Sequence, residues 1–127
     1  MSNVNQNSCS CSAAPKLIFP CSGGSDVGEI TDRAARKVTI DGAGKMYCLA
    51  GIGGGVSGII ATTESAAKVI AIDGCPLSCA KKTLEKAGIT NIIHINLHNL
   101  GLEKLKSPAT EENINKVAAE CAKQLGC

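Results

Sequence analysis

The sequence has very little aromatic surface and no concentrated charge. Of its 127 residues, one is Phe, one is Tyr and none is Trp. A core must therefore be built from Ile, Leu, Val and Ala, and stacking of nucleic-acid bases on aromatic rings is excluded as a main binding mode. The net charge of +2 comes from Lys and Arg spread along the chain. Without a basic run, neither a nucleic-acid footprint nor a membrane footprint is indicated.

Long apolar segments are also missing. Met1 to Ser12 has neither a basic start nor an apolar run, which predicts that there is no signal peptide, and no later stretch is long enough to span a bilayer. We therefore expect a cytoplasmic protein. Because thiols stay reduced in that compartment, the eight cysteines indicate metal ligands or reactive thiols rather than a disulfide framework.

What the chain does contain is an alternation of strand and helix patterns. Residues 1–15 are rich in Ser and Asn and are expected to form a flexible tail, followed by one domain at 16–127. Apolar runs predict strands at Lys16–Pro20, Lys45–Ala50, Val69–Ile72 and Asn91–Leu97. Helical spacing between them predicts an α/β fold, in which a four-stranded parallel sheet is covered on both faces. We expect flavodoxin- or Rossmann-like winding with strand order 2-1-3-4.

Three helices have predicted starts. Asp26 and Glu29 have the spacing of a capping box, at the head of a helix that runs to about Val38. Pro76 suits the first turn of a second helix, whose expected buried face carries Leu77, Ala80, Leu84 and Ala87. Thr110 is expected to cap the last helix, and Cys121 falls on its apolar stripe as a small core residue.

Four cysteines fall at the predicted carboxyl ends of strands. Cys21, Cys48 and Cys75 each lie at the carboxyl end of a different predicted strand. In the stretch Asp73-Gly74-Cys75-Pro76-Leu77-Ser78-Cys79, Cys79 follows Cys75 by four residues, which is about one helical turn. Carboxyl ends of parallel strands meet at one edge of a sheet, where ligands bind in such folds. Four thiolates are a donor set that closes a tetrahedral zinc site. The placement therefore predicts a metal site at this edge, for which Zn²⁺ fits the ligand count, while the softness of thiolates alone would equally suit Cu(I) or Fe–S chemistry.

The same residues carry a family resemblance. The run from Cys21 to Glu29, Cys48 in its Gly-rich neighbourhood, and Asp73-Gly74-Cys75 with the following helix resemble the DGC-domain family over about Lys16 to Leu125. That family takes its name from the Asp-Gly-Cys motif and is described as zinc-binding because of four cysteines that could chelate. The resemblance implies one Zn²⁺ and the metal ligands Cys21, Cys48, Cys75 and Cys79. It names no reaction and no substrate.

Three rival interpretations remain open at this stage. Gly53 to Gly58 matches the dinucleotide pattern G-x-G-x-x-G, and Asp73 lies 20 residues beyond Gly53. The loop after Cys21 could cradle an oxyanion, although Val27 stands where a C-x5-R phosphatase loop carries its Arg. The alternative function is thiol chemistry without metal, that is redox, sulfur, selenium or metalloid handling, with Cys21 or Cys75 as the nucleophile.

The two histidines and the tail cysteines are assigned more simply. His94 lies among isoleucines and is expected to be packed and hydrogen-bonded, whereas His98 follows the same strand and is kept as a possible ligand or proton donor. Asp73 is expected to accept N–H bonds in its turn or to orient a ligand. The roles of Cys9 and Cys11 in the tail stay open, as does any protein partner.

Overall fold

The structure, a computed structural model, describes residues 14–126 and contains one parallel sheet. The strands are β1 (Lys16–Pro20), β2 (Lys45–Met46), β3 (Lys68–Asp73) and β4 (Ile92–Asn96). They lie in the order β2-β1-β3-β4, with every neighbouring pair parallel. The predicted α/β fold and strand order are therefore confirmed. Most of the predicted tail lies outside the described residues.

Within residues 14–126, five α-helices connect and cover the strands. They are α1 (Asp26–Ile40), α2 (Leu49–Gly53), α3 (Ser57–Glu64), α4 (Cys79–Lys86) and α5 (Glu111–Leu125). A 3-10 turn at Leu97–Leu100 follows β4. Within the described part of the chain, none of the helices combines the length and the apolar character needed to cross a membrane.

Alternation along the two central strands divides the core into two layers. Ile18, Ile70 and Ile72 face α1 and α5, whereas Leu17, Phe19 and Ala71 face α2 and α4, and all six are fully buried. This is the period-two pattern of strands that are covered on both faces. The stripe predicted for α5, Cys121 included, is buried in the first layer.

The second predicted strand is largely wrong. Pairing ends at Met46, Tyr47 donates its N–H to the Ile18 carbonyl at 2.8 Å, and the chain turns into α2 at Leu49. An apolar run of this length is compatible with a strand or with a helix. In the structure Ile52 is buried as part of a helix, in the core layer that contains α4. The glycine-rich run from Gly53 to Gly58 spans the end of α2, a turn and the start of α3.

Two helix starts also differ from the prediction. Ser25, not Asp26, caps α1, since its hydroxyl accepts the Gly28 N–H at 3.2 Å. The helix that was expected to begin near Pro76 begins at Cys79. As a result Leu77, predicted to be buried, is 61% exposed.

The crevice of this fold opens between β1 and β3. The chain leaves β1 towards α1 on one face of the sheet and leaves β3 towards α4 on the other, because the strand order reverses between these two strands. Such a reversal separates the two loops and leaves a cleft beyond the carboxyl ends of the strands. Cys21 and Cys75 stand in those two loops.

Close backbone packing closes the loop after β1 onto α1. A Cβ placed on Gly28 would lie 2.2 Å from the Gly23 carbonyl oxygen and 2.7 Å from its nitrogen. These obstacles are main-chain atoms and cannot turn aside as a side chain would. The loop that holds Cys21 therefore depends on glycine at position 28.

Gly28→Ala is expected to lower the free energy of unfolding by at least about 2 kcal/mol, because the overpacked loop must be displaced. Gly24→Ala is the matched control, since a Cβ there meets nothing within 4 Å. Urea unfolding of both variants measures the difference. Equal, small effects of the two substitutions would contradict the close packing.

Asp26 fastens the loop after the 3-10 turn to the head of α1. Its carboxylate accepts N–H bonds from Leu105 at 2.9 Å and Ser107 at 3.2 Å, and one from Val27 at 2.8 Å. The Leu105 bond is the largest of the causes that lower the pKa of Asp26 below its ordinary value of 3.8. Asp26, predicted as a cap of its own helix, is instead a tether between distant segments.

This tether makes a pH-dependent contribution to stability. Because the folded-state pKa of Asp26 is lowered, the contribution is present above the unfolded value and is lost as pH falls through the folded value. Asp26→Asn is therefore expected to lower the urea midpoint at pH 7, with a gap from the parent that narrows towards about pH 3. If the difference in urea midpoint between the variant and the parent protein were the same at pH 7 and at about pH 3, the tether would be contradicted.

Candidate thiol and metal site

Cys21 is held in place through its main chain and through one buried hydroxyl. Its N–H donates to the Ile72 carbonyl at 2.8 Å, which ties the end of β1 to β3. Its Sγ lies 3.5 Å from Oγ1 of Thr31, a fully buried residue. The Thr31 hydroxyl donates to the Gly28 carbonyl at 2.7 Å and accepts the Ser22 N–H at 3.1 Å. Since the single hydroxyl proton goes to Gly28, Thr31 accepts from the Cys21 S–H.

Ser22 secures the other side of the same loop. Its backbone adopts φ 51°, and its hydroxyl donates to Oδ1 of Asp32 at 2.8 Å. Burial would raise the pKa of Asp32, but the hydrogen bonds from Arg36 and Ser22 outweigh it and lower the pKa below its ordinary value. The Ser22 hydroxyl thus anchors the loop after β1 to a charged carboxylate on α1.

The loop after β3 is organised by the carboxylate of Asp73, which is only 1% exposed. Its two oxygens accept the Ala80 N–H at 2.7 Å and the Lys81 N–H at 3.1 Å, two donors of the first turn of α4 that have no acceptor within the helix. Oδ2 also lies 2.9 Å from Nε2 of His94 on β4. The prediction that Asp73 accepts N–H bonds is confirmed, and so is the packed, hydrogen-bonded role of His94.

These bonds explain why α4 starts late and where its cysteines lie. The cap comes from Asp73, seven residues before Ala80, so residues 74–78 arch outside the helix. Cys75, at the base of the arch, is half-buried, and its carbonyl accepts from Asn96 Nδ2 at 2.9 Å. Cys79 is exposed at the first position of α4, after Ser78 with φ 57°. The two thiols are therefore not one helical turn apart, as their spacing suggested.

Cys48 occupies the position before α2. Its carbonyl accepts the N–H groups of Gly51 and Ile52 at 3.1 and 3.3 Å, while its side chain is exposed and makes no capping bond. The helices that follow it bury few residues, namely Gly51 and Ile52 in α2 and Thr63 in α3.

Two cavities adjoin at Cys21. The Cys48 cavity, of about 500 Å³, is lined by Cys21 and Cys48 together with Tyr47 and Thr83. The Cys75 cavity, of about 480 Å³, is lined by Cys21, Cys75 and Cys79. Cys21 is therefore the thiol common to the two cavities, one of which it shares with Cys48 and the other with Cys75 and Cys79.

The four thiols are nevertheless not gathered at one point. Among residues 14–126, no three side chains of Cys, His, Asp or Glu are gathered closely enough to hold a metal ion. The donor types fit Zn²⁺, since thiolates are the ligands of closed zinc sites, but the four side chains as they stand do not form a closed tetrahedron.

The remaining sequence candidates lie away from this region or outside the description. Burial raises the pKa of Cys121 to about 12, as its assignment to the core requires. His98 is exposed within the 3-10 turn. Cys9, Cys11 and Cys127 lie outside the described residues.

The glycine run does not have the geometry of a dinucleotide fingerprint. Gly53 ends α2, Gly54 follows it and Gly55 has φ +71°, so the run joins two short helices rather than a strand and a helix. Asp73, which would bind the ribose in that motif, is buried and already accepts from α4 and His94.

Three residues of this edge were missed by the sequence reasoning. Thr31 sits on α1, one turn beyond Gly28, and looks like any helical threonine in sequence. Lys104 and Leu105 line the Cys75 cavity from a loop more than 80 positions away from Cys21. Only the pairing of Asp26 with that loop brings them there, and a single sequence carries no signal for it.

Asp73→Ala is expected to lower the free energy of unfolding by about 3 kcal/mol or more, because two helix N–H groups and His94 lose a buried acceptor. Asp41→Ala is the matched control, as Asp41 makes only an exposed ion pair with Lys37 at 3.8 Å, which is worth less than about 1 kcal/mol. Chemical denaturation compares them. Similar losses in the two variants would contradict the buried cap.

Comparisons with known proteins identify the family of this chain. The protein named "Anaerobic and virulence modulator AnvM" from Pseudomonas aeruginosa is 33% identical over 88 residues, which cover 69% of this chain and 67% of that protein. No solved structure shows a significant match. The sequence profile of the DGC domain matches residues 17–121, which include all four edge cysteines. This chain therefore belongs to the DGC domain family.

Proposed function

We propose that the domain binds one Zn²⁺ through Cys21, Cys48, Cys75 and Cys79 at the carboxyl edge of the sheet. The observation that carries the proposal is that Cys21 borders two adjoining cavities, one with Cys48 and the other with Cys75 and Cys79. Core packing does not require four accessible thiols around one region. A zinc ion at such a donor set would keep the thiolates deprotonated at neutral pH.

The surrounding residues supply a partly rigid frame for this purpose. Cys21 and Cys75 are half-buried on backbones held by Ile72 and Asn96. Cys48 and Cys79 are exposed, so their side chains have room to turn. Because no three candidate ligands in residues 14–126 are gathered as they stand, binding requires thiols of this edge to move towards one another.

That requirement favours a second candidate function, thiol chemistry without a resident metal. In it Cys21 or Cys75 acts as the nucleophile in redox, sulfur, selenium or metalloid handling. The specific observation in its favour is that, among residues 14–126, no three candidate ligands are gathered closely enough to hold a metal ion as they stand.

Metal analysis of protein purified without chelator decides between the two. The zinc proposal predicts about one equivalent of zinc, reduced by half or more in Cys21→Ser and in Cys75→Ser. Cys121→Ala is the control, because Cys121 lies in the core and its thiol stays protonated. It should retain the metal of the parent protein.

Less than half an equivalent of any metal, together with freely titratable thiols, would overturn the zinc proposal. The thiol-chemistry alternative then predicts that Cys21 or Cys75 is alkylated much faster than the other three edge cysteines. Slow and uniform alkylation of all four would dismiss that alternative as well.

A further inference from the structure

The Cys75 cavity has properties that metal binding does not need. Its volume of about 480 Å³ lies in the range of small-molecule sites. It occupies the crevice between β1 and β3, the usual ligand position in sheets of this winding. Besides the cysteines, its lining includes the apolar residues Val27, Leu77 and Leu105 and the basic residue Lys104.

Unusual backbone conformations are concentrated around this cavity. Among the described residues, three that are not glycine have positive φ, namely Ser22 (51°), Ser78 (57°) and Leu105 (72°). Leu105 lines the cavity, while Ser22 and Ser78 each adjoin a cysteine that does. For a bulky residue such as leucine the conformation is strained, and strain of this kind persists where surrounding contacts impose it. Here the Asp26 carboxylate imposes it, through the Leu105 N–H.

The strained backbone of Leu105 keeps its large apolar side chain exposed to solvent. Leu105 is 84% exposed and Leu77, in the β3–α4 loop, is 61% exposed. They line one cavity from two separate loops. Only two other large hydrophobic side chains of the described chain, Ile40 and Val56, are comparably exposed. The cavity therefore has an apolar rim that an apolar ligand would cover, with a gain that scales with the area removed from water.

Lys104 is the cationic residue that lines this cavity, and the carboxylate of Asp26, which accepts the Leu105 N–H, lies beside the lining. Lys104 forms no ion pair with a carboxylate of residues 14–126, whereas the nearby Lys106 lies 3.6 Å from Glu103. Asp73, the acidic residue of the lining, is buried and already accepts from α4 and His94. The group that complements Lys104 on a ligand is an anion.

We infer that the Cys75 cavity binds a small organic carboxylate with an apolar body. The carboxylate pairs with Lys104, and the apolar body covers Leu77, Leu105 and the wall formed by Val27. Cys21 and Cys75, whose thiols are polarisable, line the same cavity beside that apolar body. The inference does not depend on the zinc proposal, because Lys104 and the apolar rim are separate from the thiol donors.

Titration of the full chain with octanoate, followed by amide NMR shifts, tests this inference. Octanoate is expected to bind saturably with Kd below about 1 mM, with the largest shifts at Gly23, Gly24, Leu77 and Leu105. Octylammonium, of the same chain length and opposite charge, is expected to bind at least about fivefold more weakly.

Two pairs of variants separate the site from general surface binding. Lys104→Gln should weaken octanoate about fivefold, while Lys106→Gln changes it little. Leu105→Ser should weaken octanoate about tenfold, while Ile40→Ser, equally exposed in the parent at 84%, has no effect. Non-saturable shifts, equal binding of octylammonium, or equal effects within either pair would overturn the inference. Measuring bound zinc on the same samples keeps the outcome separate from that of the metal proposal.

Discussion

The buried carboxylate of Asp73 is the contact on which the arrangement of the site depends. It satisfies two donors at the start of α4 and pairs with His94 on β4. Leaving such donors unpaired in the interior is costly, so β3, α4 and β4 are fixed relative to one another. The five residues between Asp73 and Cys79 have to arch outwards as a consequence. That arch presents Cys75 to the crevice and leaves Cys79 exposed.

The loop after β1 meets this arch from the other side of the crevice. Its position follows from the main-chain bond between Cys21 and Ile72, the buried Thr31 hydroxyl and the close packing of Gly28 on Gly23. Rigid backbones thus carry Cys21 and Cys75, whereas Cys48 follows a two-residue strand and precedes the thinly buried α2. The edge combines fixed thiols with movable ones, which suits either a metal that draws them together or stepwise thiol chemistry.

How much of this the sequence predicted depends on the range of each interaction. The apolar runs that form β1 and β3, the stripe of α5 and the cap at Thr110 are local patterns, and all were predicted correctly. The strand predicted at Lys45–Ala50 was largely wrong, because an apolar segment of that length is compatible with a strand or with a helix. Packing against α4 decides between the two. The placement of all four cysteines at one edge followed from topology alone.

Long-range side-chain contacts were beyond sequence reasoning. Asp26 looked like a helix cap, and its true partners are N–H groups of Leu105 and Ser107, about 80 residues away. The start predicted at Pro76 failed for the same reason, since Asp73 reaches across seven residues to cap α4. The rim of the Cys75 cavity depends on both contacts. These are tertiary interactions that override local helix signals.

X-ray absorption at the zinc edge of the purified protein tests the central claim most directly. If the four edge cysteines hold the ion, the spectrum will fit about four sulfur neighbours at about 2.3 Å, without a nitrogen or oxygen shell. A shell dominated by nitrogen or oxygen, or a sample without bound zinc to measure, would contradict the claim.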